Sequence, residues 1–255
     1  MNRFLGILTF LTRIPVHANI EFDENFNKGM IYFPTVGLIL GILYFFVTYI
    51  ATKLFGIYIG SVIFVLCGVV LTGGLHLDGV GDTFDGIYSY RDKERILEIM
   101  KDSRLGTNAL LAILFVILLK IGFVYKIINS NIYYLTILMP IYGRLSIAFA
   151  SYNNKSPRKN GMGNVFIGQI NKTQIAICCA FTVVYIVLLN VVFGLDLKLM
   201  IYNIIFMIVL WILIRLYTKY ITNIIGGITG DILGCICELT EVIYLLFICL
   251  GVYIW

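Results

Sequence analysis

Residues 57–74 read IYIGSVIFVLCGVVLTGG, and residues 75–86 follow at once as LHLDGVGDTFDG. The first stretch has no charge; the second has three aspartates and three glycines in twelve positions. A spanning helix needs about 20 mostly apolar residues, so the first stretch reads as a membrane span that ends in acid. The rest of the chain extends this pattern. Hydrophobic residues make up 60% and charged residues 13%, against roughly 45–50% and 25% in soluble domains, and the mean hydropathy is +0.95. Seven apolar runs stand near 31–52, 57–77, 109–125, 132–151, 174–194, 199–218 and 239–255. Long apolar runs without alternation must satisfy their own backbone in lipid, which calls for helices. The expected fold is therefore all-α: a polytopic integral membrane helical bundle of about seven transmembrane helices. The loops leave no room for a soluble domain, so residues 1–255 read as a single catalytic membrane domain. The opening MNRFLGILTFLTRIPVH lacks a small-residue cleavage site and reads as a retained N-terminal interfacial helix.

Cations set the orientation. Segments 1–30, 78–108, 152–173 and 215–238 hold fourteen Lys and Arg, and the other side holds four: Lys53, Lys120, Lys126 and Lys198. The positive-inside rule then places the N-terminus and the long loops in the cytoplasm, and gives a multi-pass protein of the cytoplasmic membrane. The net charge of +5 follows from these loops and does not indicate nucleic-acid binding. Thirteen of fourteen acids fall on the same side, all but Asp196. Acids do not obey the positive-inside rule, so their gathering points to a carboxylate-rich site on the cytoplasmic face. The six cysteines sit mostly in apolar runs and read as small buried hydrophobes.

Asp78, Asp82 and Asp85 are spaced i, i+4, i+7 and share one helix face. Carboxylates so placed repel one another unless a divalent cation joins them, and Mg²⁺ takes a few carboxylates plus substrate phosphates. These three are the candidate metal ligands. The glycines between them leave room for a ligand or a neighbouring helix. A second cluster, GGITGDILGCICELTE at 226–241, puts Asp231 and Glu238 on one face. Asp82, Asp85, Asp231 and Glu238 are the candidate catalytic carboxylates. The bland alternatives are a solvated helix end for the first cluster and a dipole-stabilised helix start for the second.

Candidate substrate contacts come from the polar stretches between. IMKDSRLGTN at 99–108 contains Asp102 and Arg104, and SPRKNGMGNVFIGQINK at 156–172 contains Arg158, Lys159, Gly163 and Asn164. Basic side chains beside carboxylates suit a phosphorylated substrate, although loop cations also serve topology alone. Arg144 lies within a span, where an ionisable residue is a functional candidate by default. His76 flanks the first cluster as a substrate or supporting residue; His17 has no constellation around it. Carboxylates with Mg²⁺ and nearby cations favour phosphoryl transfer, and no GxxxxGK[ST] loop is present.

DTFDG at 82–86 resembles the first half of the CDP-alcohol phosphotransferase signature, but IYS follows where that family has an alanine–arginine pair. A longer resemblance covers nearly the whole chain. LTRIPV at 11–16, FPTVGLILG at 33–41, TGGLHLDGVGDTFDG at 72–86, RILEIMKDSRLGT at 95–107, GMGNVFIGQI at 161–170 and GGITGDILGCICELTE at 226–241 occur in the order found in the cobalamin synthase family, the adenosylcobinamide-GDP ribazoletransferases. The resemblance implies that adenosylcobinamide-GDP reacts with α-ribazole or its 5′-phosphate at the cytoplasmic membrane face. GMP leaves, cobalamin or its phosphate forms, and Mg²⁺ is required. It implies site roles for Asp78, Asp82, Asp85, Asp102, Arg104, Gly163, Asn164, Asp231 and Glu238. Cys235 stands where the family usually has alanine. A CDP-alcohol phosphotransferase-like phospholipid synthase and, on other grounds, an ion-coupled transporter are the alternatives. A homo-oligomer stays open.

Overall fold

The computed structural model describes residues 3–16, 26–194 and 197–251; His17 and Asp196 lie outside them. In chain order the helices are α1 Arg3–Leu11, α2 Phe33–Thr72, α3 Leu75–Ile87, α4 Lys93–Ile99, α5 Thr107–Asn129, α6 Leu138–Ser151, α7 Lys172–Phe193, α8 Leu197–Ile225 and α9 Gly230–Gly251. Short 3₁₀ segments occupy Phe26–Tyr32, Tyr133–Ile137 and Met162–Val165, and no strand occurs among the described residues. The expected interfacial helix is α1, which packs on the first of these segments. Six helical stretches are long and apolar enough to cross a membrane.

The longest of them folds back on itself. A straight helix of 40 residues would be about 60 Å long, twice the hydrocarbon thickness of about 30 Å. Gly56 breaks it, with φ 85° and ψ 171°, a conformation that only glycine adopts readily. The rings of Tyr44 and Phe64 lie 5.5 Å apart, and a Cβ on Gly60 would run into Thr52. Residues this far apart along one helix meet only if its halves run antiparallel. The stretch is a hairpin of 33–55 and 57–72, so six helical stretches make seven passes.

Two helices form the centre. Every residue of α6 is buried, and α9 is buried along most of its length. The hydrophobic windows of α2, α5, α7 and α8 are only 22–28% buried. They turn Phe46, Ile50, Phe55, Phe115, Val191 and Leu216 outward, as a lipid-facing ring does.

The centre is not purely apolar. Lys120 of α5 donates to Glu238 Oε2 at 2.6 Å and to Glu241 Oε2 at 2.5 Å, and Arg144 of α6 donates to Glu241 Oε1. All four side chains are buried. Glu241 lies eleven residues into α9, about 16 Å along its axis. This corrects three expectations. Lys120 is not on an outer loop, Glu238 and Glu241 are not at a cytoplasmic boundary, and the last pass begins at Gly230 rather than near 239. Unpaired charge would mark the end of a span, but two cations and two carboxylates neutralise one another and stay inside. Breaking a buried pair costs about 3–5 kcal/mol. Lys120→Met should therefore lower the unfolding midpoint in detergent by a loss of that order, and wild-type stability in this variant would contradict the pairing.

Candidate active site

The acidic stretch is not the end of a span. Gly73 and Gly74 take φ of 65° and 71°, so the hairpin stops and α3 starts as a separate helix. Its glycines face protein. A Cβ on Gly79 would lie 2.5 Å from the carbonyl oxygen of Asp231 and 3.2 Å from the Cα of Gly234. Thus α3 and α9 touch backbone to backbone, and the two acidic motifs, about 150 residues apart in the chain, come together. Gly81 and Gly86 pack against Ile113 and Met100 in the same way.

Asp78, Asp82 and Asp231 form the joint acidic face. The Asp82 carboxyl is pushed up to about 7, first by burial, then by Asp231 and Asp78, with Arg158 opposing. Beside this face opens a cleft of about 230 Å³, lined by His76, Asp78, Arg158, Gly163, Asn164 and Asp231 among others. Arg158 donates from Nη1 to Asp231 Oδ2 at 2.9 Å, and Thr229 donates to the same oxygen at 3.2 Å. The Nε of Arg158 is buried without a partner. Asn164 donates to the carbonyls of Arg158 and Lys159 at 3.0 and 3.1 Å. A Cβ on Gly163 would lie 2.6 Å from the Cα of Gly230. Both residues thus shape the loop that carries Arg158. His76 is buried with its Nδ1 unpartnered. Burial, with Arg144 and Lys120 adding repulsion, holds its pKa well below the ordinary value, so the imidazole is neutral.

Other expected site residues lie elsewhere. Asp85 shares the face of Asp78 and Asp82 by spacing, but its carboxylate is engaged: Oδ2 accepts from the Gly106 N–H at 2.7 Å and Oδ1 from the Ala109 N–H at 2.9 Å. It caps α5, whose own N-cap residue, Gly106, has no side chain to do so. The expected Asp78–Asp82–Asp85 metal triad is therefore not assembled, and among the described residues no three His, Cys, Asp or Glu side chains are grouped to hold a metal ion. Glu238 and Arg144 belong to the buried ion cluster. Arg144 is 1% exposed and committed to Glu241, so it does not present its guanidinium to a phosphate in the cleft. Asp102 and Arg104 are exposed and pair with each other at 2.5 Å; hydrogen bonds from Arg104 hold the Asp102 carboxyl down at about 2.

Arg158 is the cleft residue that the candidate set omits. Its stretch, SPRKNGMGN, stands out by its basic residues and glycines, but spacing does not distinguish Arg158 from Lys155 or Lys159.

The family model for cobalamin-5-phosphate synthase matches residues 3–249. The chain belongs to that family. It is 48% identical to the adenosylcobinamide-GDP ribazoletransferase of Clostridioides difficile (strain 630) over the whole of both chains. It is 45% identical to the enzyme of that name from Alkaliphilus metalliredigens (strain QYMF), covering 98% of this chain and 96% of the other. No solved structure matches. As a member of the cobalamin-5-phosphate synthase family the chain is an enzyme, a transferase of cobalamin synthesis, and its acidic face lies at one end of a membrane bundle.

Two measurements check this geometry. Asp82 has a folded-state pKa of about 7, above the ordinary 3.8, so between these values the native state holds a proton that the unfolded chain releases. Without added cation, its contribution to stability is greatest below the lower value and is lost as pH rises through the upper. Asp82→Asn should remove this part of the pH slope of unfolding in chelator-treated protein; an unchanged slope would contradict it. Asp85→Ala should destabilise by about 0.5–2 kcal/mol, the loss of a helix cap, with a thermal melt as the readout.

Proposed function

We propose that the chain joins adenosylcobinamide-GDP to α-ribazole or α-ribazole 5′-phosphate, releasing GMP. The relatives' printed names supply the donor and the ribazole class. The observation that carries the chemistry is the backbone contact of α3 with α9, which sets Asp78 and Asp82 against Asp231 beside a cleft holding Arg158. In this reading the ribazole hydroxyl attacks the phosphorus on the cobinamide side. A P–O bond forms to the acceptor, the P–O bond to GMP breaks, and GMP leaves with the electron pair. A carboxylate of the joint face takes the hydroxyl proton.

The donor set fits a divalent cation, since three carboxylates stand against the single guanidinium of Arg158 and burial already disfavours ionising Asp82. Asp78, Asp82 and Asp231 would hold Mg²⁺, which when bound supplies charge neutralisation of the diphosphate and of the departing phosphate. Arg158 fixes Asp231 and offers its unpartnered Nε to a phosphate oxygen. The cleft belongs on the cytoplasmic face of the cytoplasmic membrane, by the excess of Lys and Arg in the segments that build this end. Family membership favours this reading of the acidic face over the phospholipid-synthase and transporter alternatives.

Purified protein supplied with both substrates and Mg²⁺ should release GMP. Asp82→Asn should abolish that release while inserting into membranes normally. Near-normal turnover by the variant would overturn the assignment of the acidic face.

A further inference from the structure

The cleft has two unlike walls. Asp78, Asp231 and Arg158 make one of them. The other is apolar, built from Phe10, Phe33, Phe166, Ile147 and Leu233. Its aromatic part is a packed unit: Phe10 and Phe33 meet Phe166 at ring distances of 5.1 and 5.5 Å. Between the walls His76 is 3% exposed and its Nδ1 has no partner. A buried polar atom left unpaired is costly, so this one awaits a group from outside the chain. A neutral imidazole has one donor and one acceptor nitrogen to offer.

Size and polarity select the occupant. At about 230 Å³ the cleft is smaller than the ~300–1,000 Å³ of pockets that enclose a drug-sized ligand, and a corrinoid macrocycle does not fit. A guanine would bring an exocyclic oxygen and amine against side chains that offer them no partner, which is unfavourable on burial. A dimethylbenzimidazole brings two methyl groups and no exocyclic polar group.

We infer that this cleft is the acceptor subsite: the methylated bicyclic base packs against the Phe10–Phe33–Phe166 wall, the ribose hydroxyl faces Asp78 and Asp231, and the corrinoid and guanine parts of the donor stay outside. The inference rests on the transfer reading above and adds where each half of the reaction binds. His76 meets the ribose or the free ring nitrogen of the base.

The test uses α-ribazole and its analogues lacking one or both methyl groups, titrated calorimetrically into wild-type protein in detergent without donor. Each methyl removed should weaken binding about fourfold, the equivalent of about 0.8 kcal/mol per buried group. Ile147→Phe, which adds a ring on the apolar wall, should raise KM for α-ribazole at least tenfold and leave KM for adenosylcobinamide-GDP within twofold. Equal binding of the methyl-free riboside, or a KM change confined to the donor, would overturn the subsite. If Ile147→Phe fails to fold, the methyl series on the wild-type chain decides alone. Methyl-dependent binding with no GMP release under any condition would leave the subsite standing and sink the transfer reading; release without methyl dependence would do the reverse.

Discussion

Charge inside a lipid-embedded bundle must be cancelled where it stands. Lys120, Arg144, Glu238 and Glu241 do this by joining three helices, α5, α6 and α9, through three ion pairs. Each helix is thereby held in register as well as in contact, because a shift of one turn along any axis would separate a charge from its partner. The rest of the site follows from this. With α9 fixed, its first turn presents Asp231 at the end of the bundle, and α3 can lie against it. With α5 fixed, its open N-terminus is positioned to receive Asp85.

The two acidic groups thus differ in kind. The interior cluster is neutral, two against two, and closed to solvent. The end cluster has three carboxylates against one guanidinium and borders a cleft. An imbalance that raises the Asp82 carboxyl to about 7 would be a defect in a purely structural cluster. Beside a cleft lined by an unpartnered His76 Nδ1 and Arg158 Nε it is the mark of a site that is completed by what binds there.

Much of the fold was legible in the sequence, for a simple reason: hydropathy reports on the solvent around a helix, and here lipid surrounds most of them. The seven passes and the helical class follow from apolar runs alone. Charge positions misled where charge was paired inside. Glu238 looked like the end of the last span because a sequence cannot show that Lys120, more than a hundred residues earlier, sits opposite. Spacing grouped Asp78, Asp82 and Asp85 correctly on one face, yet a helix face is wide enough for neighbours to serve different partners. Asp85 turned to two amides of α5, while Asp231, found by its glycine-rich surroundings, took its place. Arg158 was hidden among similar cations because only the loop's fold, pinned by Asn164, chooses between them.

The contact of Gly79 with Asp231 and Gly234 has a mechanical consequence. Where helices meet through side chains, a rotamer change can take up strain and let them shift. Here backbone meets backbone, and no compliant group stands between. The helices cannot approach further, and the spacing of the carboxylates they carry is as stiff as the helices themselves. Whatever enters between them is measured against a fixed gauge.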